Sequence, residues 1–282
     1  MTRLLRPVAV AVLAWGSLMA PAPHAVAARQ VVDIAHRGSS ARAPENTVIS
    51  VRRAVAQHAR FVEIDVQRSA DGRLVVVHDT TLSRTTNVEQ VFPSRAPWAV
   101  GAFTLGEMRR LDAGSWFSGK YAGARIPTLR QVLDAVGTNS GLLLELKNPD
   151  RYPGIEADVN QVLRSVGGYV PAAVASGRLV VQSFDRRSLR RFHSLAPDIP
   201  VGLLYHRRPS QPGLNGASRW VDEINVDRRA TSRGLVKAAH RRGMEINVFT
   251  VNSRDLMRRY IRLGVDGIVT DKPRVLKDLA GG

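Results

Sequence analysis

The chain has 282 residues, 44% of them hydrophobic, a formal net charge of +17 and no cysteine. That length and apolar content suffice for one undivided core of enzyme size, and the missing thiols exclude a disulfide framework, a thiolate zinc site, a cysteine nucleophile and a lipid-modified cysteine anchor. The charge is spread in arginine pairs along helix-like segments and aromatics make up only 6%, which argues against a nucleic-acid groove and for peripheral attraction to an anionic envelope surface.

At the start, Arg3 and Arg6 precede an apolar stretch from Val8 to Ala20, followed by Pro21, Pro23 and Ala25-Val26-Ala27-Ala28. This reads as a secretory signal peptide over 1–28, cleaved near Ala27 or Ala28, and predicts a secreted or envelope location. The stretch is too short to span a bilayer comfortably. Beyond it, strand-like apolar runs fall at 31–35, 61–66, 142–147, 179–183, 200–204, 221–226, 245–250 and 266–269. Helical patterns lie between them, such as Val48, Val51 and Val55 behind a cap at Asn46, and Leu235, Ala238 and Ala239 behind Thr231. Eight strands with intervening helices predict an α/β fold, a (β/α)8 TIM barrel over 29–282. Asp71-Gly72 is a turn signal that pairs 61–66 with 74–78 as a hairpin. Residues 80–127 show no clear strand, yet carry Phe92, Trp98, Phe103, Trp116, Phe117 and Tyr121. Structureless excursions of that length in compact domains usually serve function.

Glu63 and Asp65 stand two apart on a strand-like run, so both carboxylates point to the same side. Adjacent buried carboxylates repel unless a cation or a proton lies between them, so the pattern asks for a metal ion. His36 and His78 each close an apolar run and emerge at a strand end, where barrels keep their chemistry. A lone histidine is more often a hydrogen-bonded core residue; two beside carboxylates read better as an acid and base pair. Arg37 and Lys147 suit a nonbridging phosphate oxygen, with ion pairing to Glu63, Asp65 and Glu145 as the plainer role. Glu45 offers either ordinary electrostatics at a helix start or a hold on His36, Arg37 or the metal shell. Gln182 and Asn225 end later apolar runs and could equally make simple hydrogen bonds at the barrel mouth, and Trp116 could form the excursion's own core or a wall of the substrate pocket.

The order HRG (36–38), PENT (44–47), ExD (63–65), HD (78–79) and ELK (145–147) continues through FTLGEMRRLDAGSWF, RIPTL, VQSF, FTVNS and GVDGIVTDKP. In that shared order and spacing the chain resembles the glycerophosphodiester phosphodiesterase family over roughly residues 31 to 278. The resemblance implies a barrel with a small insertion, 80–127, over its mouth. It implies an exported, metal-dependent enzyme that hydrolyses glycerophosphodiesters to glycerol 3-phosphate and an alcohol. On this reading Glu63, Asp65 and Glu145 are the metal ligands, His36 and His78 divide acid and base work, and Arg37 and Lys147 neutralise phosphate charge. Gln182, Trp116 and Phe249 then contact substrate, with Glu45 in support. An all-oxygen ligand set favours Ca²⁺ or Mg²⁺ over zinc, with Ca²⁺ preferred for an exported protein and histidine ligation as the alternative. One departure stands out: the family commonly shows tryptophan before the TVN-like triplet, where this chain has Phe249, which keeps an apolar wall but lacks the indole donor. Two rival readings are a lysophospholipase D acting on a longer, acyl-bearing lipid, and a noncatalytic cationic module that adheres to the cell envelope. Adhesion would need none of the acid, base and carboxylate set.

Overall fold

The computed structural model describes residues 30–280, so the leader expected over 1–28 lies outside the described residues. Nine strands form one sheet: β1 (Val32–Ala35), β2 (Phe61–Arg68), β3 (Leu74–Val76), β4 (Gly141–Leu146), β5 (Leu179–Ser183), β6 (Val201–Tyr205), β7 (Glu223–Asp227), β8 (Glu245–Phe249) and β9 (Gly267–Thr270). Eight of them are parallel in the order β1-β9-β8-β7-β6-β5-β4-β2, and β1 pairs with β2 to close the barrel. The expected (β/α)8 barrel is therefore what forms, and β3 folds back antiparallel on the end of β2 as the Asp71-Gly72 signal predicts.

The apolar runs become barrel strands because both of their faces are covered, one by helices and one by the barrel interior. Leu142, Leu144 and Leu146 of β4 join the large core between barrel and helices. Leu143 instead joins a small interior cluster with Ile34 and Val269. Among the described residues no helix is long and apolar enough to cross a membrane.

Two expected caps shift by one residue. Thr47, not Asn46, caps the helix Val48–Ala56 through a capping box with Ser50, and Ser232, not Thr231, caps Arg233–His240. Asn ranks above Thr as a cap, so tertiary demand decides at the first helix, whereas at the second Ser is the better cap by its own chemistry. Asn46 is in the left-handed region at φ 55° with its side chain on Asp65, and Thr231 bonds the Asp227 carbonyl.

The 80–127 excursion is not structureless. It holds short helices at Val88–Val91 and Leu105–Met108 and single 3₁₀ turns at Pro93–Arg95, Val100–Ala102 and Gly119–Tyr121. Its own core includes Leu82, Val100, Phe103, Met108 and Leu111, with Phe92 and Trp98 packed against it. The Thr104 and Glu107 side chains cap Leu105–Met108 reciprocally, so a T-x-x-E signature was present in the sequence.

Candidate active site

The site begins with a tight turn after β1. Gly38 sits at φ 82°, and a Cβ there would lie 2.5 Å from the Ser50 hydroxyl, so only glycine lets the chain pass the helix start. This turn holds Arg37 at φ 54°, in the left-handed region that non-glycine residues rarely adopt. Its backbone N–H then donates to Glu63 Oε2 at 2.8 Å.

Asp65 and Glu145 are register neighbours on β2 and β4, with Glu63 two residues before Asp65. Their buried carboxylates, together with that of Glu63, bring oxygen atoms within 4.8 Å of one another. Asp65 is the best compensated: Asn46 donates to it at 2.8 Å, and Lys147 Nζ and Arg37 Nε approach to 3.4 and 3.3 Å. Burial alone would raise its pKa, but Lys147 and Arg37 outweigh that and hold it below the ordinary value. Glu145 accepts from Lys147 at 2.9 Å; burial, reinforced by the Asp65 charge, still pushes it up to about 7. Burial, with Asp65 and Glu145 adding repulsion, raises Glu63 well above its ordinary value. Arg37 and Lys147 thus do pair with the carboxylates, as the plainer reading has it, yet in two of the three acids, Glu63 and Glu145, the charged form stays disfavoured. An oxygen-only, under-compensated set of this kind fits a hard divalent cation.

His36 and His78 flank this cluster in the same cavity of about 660 Å³, which Arg37, Lys147, Gln182 and Phe249 also line. Each imidazole is held through Nδ1, His36 by Asp271 Oδ1 and His78 by Asp79 Oδ1, both at 2.6 Å. That leaves Nε2 as the nitrogen for chemistry in the cavity. Asp271 is fixed in turn by Ser40 at 3.0 Å and by Asn252. Burial lowers the pKa of His78 further than the neighbouring Asp65 raises it, which favours the neutral ring, the form that can accept a proton.

Three positioning residues were not read from the sequence. Asp271 lies 235 residues from His36, too far for any local signal. Asp79 was visible within the HD pair but not singled out. Buried Gln67 donates to the carbonyls of Val77, His78 and Asp79 at 2.9, 3.2 and 2.7 Å, and its Oε1 accepts from Tyr152 at 2.9 Å, so it clamps the chain that carries His78.

Other expected residues divide. Glu45 accepts from Arg37 Nη1 at 2.8 Å and bonds Arg84, so it orients Arg37 while His36 depends on Asp271. Gln182 reaches the cavity, but its Oε1 accepts from Asn225 at 2.7 Å inside the barrel. Phe249 forms an aromatic corner with Phe184 and His206, whose rings stack at 4.0 Å with Phe249 standing edge-on at 5.9 and 6.2 Å. Trp116 does not line the cavity. It is 40% exposed, its indole N–H donates to Ala113, and its ring stands edge-on against Phe117, which ties it to the insertion.

The chain is similar to known proteins over most of its length. Residues 36–275 match the glycerophosphoryl diester phosphodiesterase family. A glycerophosphodiester phosphodiesterase of Caldanaerobacter subterraneus subsp. tengcongensis is 36% identical over 248 residues, covering 87% of this chain and 96% of the relative. Among solved structures, an Oleispira antarctica phosphodiesterase in complex with the product sn-glycerol-3-phosphate superposes with a TM-score of 0.74 at 28% identity, covering 88% of this chain and 96% of that one. A glycerophosphodiester phosphodiesterase from Agrobacterium tumefaciens gives 0.73 at 30% identity, covering 89% and 100%.

Proposed function

The chain belongs to the glycerophosphoryl diester phosphodiesterase family and is a phosphodiesterase, and from that premise we propose that it is exported and releases glycerol 3-phosphate from a glycerophosphodiester in a metal-dependent reaction. The observation that carries this reading is the pair of histidines, each held at Nδ1 by an aspartate, on the wall that also bears three buried carboxylates. The product bound in the Oleispira antarctica neighbour supports the choice of glycerol 3-phosphate.

Glu63, Asp65 and Glu145 would hold the divalent cation, Ca²⁺ in preference to Mg²⁺ for an exported protein. Bound there, it supplies Lewis-acid polarisation of the phosphate and a lowered pKa for an attacking hydroxyl or water. The protein's own share is proton transfer and charge. One imidazole Nε2 removes the nucleophile's proton, and the other protonates the leaving oxygen across the phosphorus. Arg37 and Lys147 lie beside the carboxylates, where their charges stabilise the oxyanion that develops. The corner of Phe184, His206 and Phe249 offers an apolar wall for the leaving alcohol, which is also what favours the second reading, lysophospholipase D action on an acyl-bearing lipid.

The test is a panel of glycerophosphocholine, glycerophosphoethanolamine, glycerophosphoglycerol and lysolipids, assayed with Ca²⁺, with Mg²⁺ and after chelation. Glycerol 3-phosphate released only with metal supports the first reading, and turnover confined to lysolipids supports the second. Full turnover in rigorously metal-stripped protein contradicts the metal's role. Export is tested by N-terminal mass analysis of protein from the medium or envelope, which should begin near Ala28 or Arg29. A chain still carrying Met1 there would contradict cleavage.

A further inference from the structure

We propose that Arg84, carried on the 80–127 insertion, is a positioning residue that holds the His78 imidazole and the Arg37 guanidinium together through one bridge between two carboxylates. The inference rests on the reading that His78 and Arg37 act on the diester.

Arg84 donates from Nε to Asp79 Oδ2 at 2.6 Å and from Nη2 to Asp79 Oδ1 at 3.1 Å. The same guanidinium donates from Nη1 to Glu45 Oε2 at 2.9 Å and from Nη2 to Glu45 Oε1 at 2.7 Å. Each carboxylate has a second client. Asp79 Oδ1 holds His78 Nδ1 at 2.6 Å, and Glu45 Oε1 accepts from Arg37 Nη1 at 2.8 Å. The chain of contacts therefore runs from His78 through Asp79, Arg84 and Glu45 to Arg37, and Arg37 meets Asp65 at 3.3 Å.

An ordinary surface ion pair contributes little because each side chain remains mobile in water, and Arg84 is 44% exposed. This one differs in geometry: a planar fork satisfies both oxygens of two carboxylates, which fixes their orientation as well as their charge. Lysine, a point charge on a flexible stem, cannot reproduce that. Arg84 also keeps Asp79 ionised, since its hydrogen bond leads the contributions that outweigh burial and bring the Asp79 pKa down to about 2.

The two histidines consequently differ in what supports them. Asp271, behind His36, is held by Ser40 and Asn252. Asp79, behind His78, is held by a residue of the insertion, with the Trp116 ring 5.9 Å from the Arg84 guanidinium. On this account the insertion sets the geometry of one side of the site, a role separate from contact with substrate.

The experiment compares Arg84→Lys, Arg84→Ala, Asp79→Asn and the Arg84→Ala/Asp79→Asn double variant in the full chain. Both Arg84 variants should lose about ten- to a hundredfold in kcat, the scale of a misplaced proton-transfer group. Lysine should give no rescue, and melting should shift by only a few degrees. The double variant should be no slower than the slower single variant, because both changes break one linkage. A second readout is the low-field His78 Nδ1–H resonance in ¹⁵N-labelled protein, assigned by its loss in His78→Gln. It should be present in the unaltered chain and lost or displaced in both Arg84 variants. That signal does not depend on the substrate, so an unaltered chain inactive on every diester would count against the functional reading and leave the positioning test standing. Near-normal kcat in a folded Arg84→Lys, additive losses in the double variant, or an unmoved His78 resonance would overturn the proposal.

Discussion

Two clusters of buried polar side chains lie side by side along the barrel wall, meeting where Glu145 of β4 is the register neighbour of Gln182 of β5. On β5, β7 and β8, Asn225 donates to Gln182 and to Glu223, both at 2.7 Å, and Asn247 donates to Asn225 at 2.9 Å. Amides predominate there, so donors and acceptors meet within the cluster, and Gly267 makes room for it: a Cβ at that position would lie 2.3 Å from Asn247 Oδ1. On β2 and β4, Glu63, Asp65 and Glu145 bring three carboxylates against two cations, and Glu63 and Glu145 stay pushed up in pKa. The amide layer meets its Glu223 carboxylate with a donor from Asn225, whereas the acidic layer sets three carboxylates against one another, a set that fits a cation.

The contrast makes opposite predictions for the two arcs. In the acidic cluster, Glu63→Gln should lower kcat by up to about a thousandfold, the upper scale for removing one electrostatic group from a site. It should at the same time raise the melting temperature of metal-stripped protein, since it removes a carboxyl group whose charged form burial and its neighbours disfavour. A fall in both would mean the cluster is a structural ion-pair network. The histidines come next: His36→Ala and His78→Ala should each cost at least about a hundredfold in kcat with little change in melting temperature. Near-normal turnover in either would make that imidazole structural.

In the amide cluster the signs reverse. Asn225→Leu leaves Gln182 and Glu223 without their shared donor and should cost roughly 1–3 kcal/mol of stability, with kcat kept within a few-fold; denaturant titration beside kinetics decides it. The smallest effect belongs to Glu223, which burial, aided by the Glu245 charge, raises to about 7 against the Asn225 hydrogen bond. Its folded-state pKa exceeds its unfolded value, so its contribution to stability is complete below about pH 4.5 and is lost as pH rises through about 7. Glu223→Gln should therefore raise the melting temperature by a few degrees at pH 8 and hardly at all at pH 5. Equal shifts at both pH values would show that the Glu223 charge is not what the fold resists.

The sequence was most legible where one local rule operated alone. Eight apolar runs became eight barrel strands because nothing competes with burial on both faces. The period-two spacing of Glu63 and Asp65 put both carboxylates in the cavity for the same local reason. Legibility failed where a distant partner decided. Asn46 looked like a helix cap, but Asp65 claims its side chain. The aspartate behind His36 arrives from the far end of the chain. For Gln182 and Trp116 the sequence left two readings open: Gln182 lines the cavity while accepting from Asn225, and Trp116 donates to Ala113 within the insertion. The insertion's short helices offered no stretch long enough for periodicity to register, and its capping box was the one local clue.

The most direct test of the contrast is a calorimetric titration of the metal-stripped chain with Ca²⁺ and with Mg²⁺. Glycerol 3-phosphate release is measured in the same samples, and the Glu63→Gln variant is run alongside. The unaltered protein should bind one ion per chain with activity that rises with occupancy, and the variant should lose both binding and release. Release from the unaltered chain with no ion bound, or equal ion binding by the variant, would contradict this expectation.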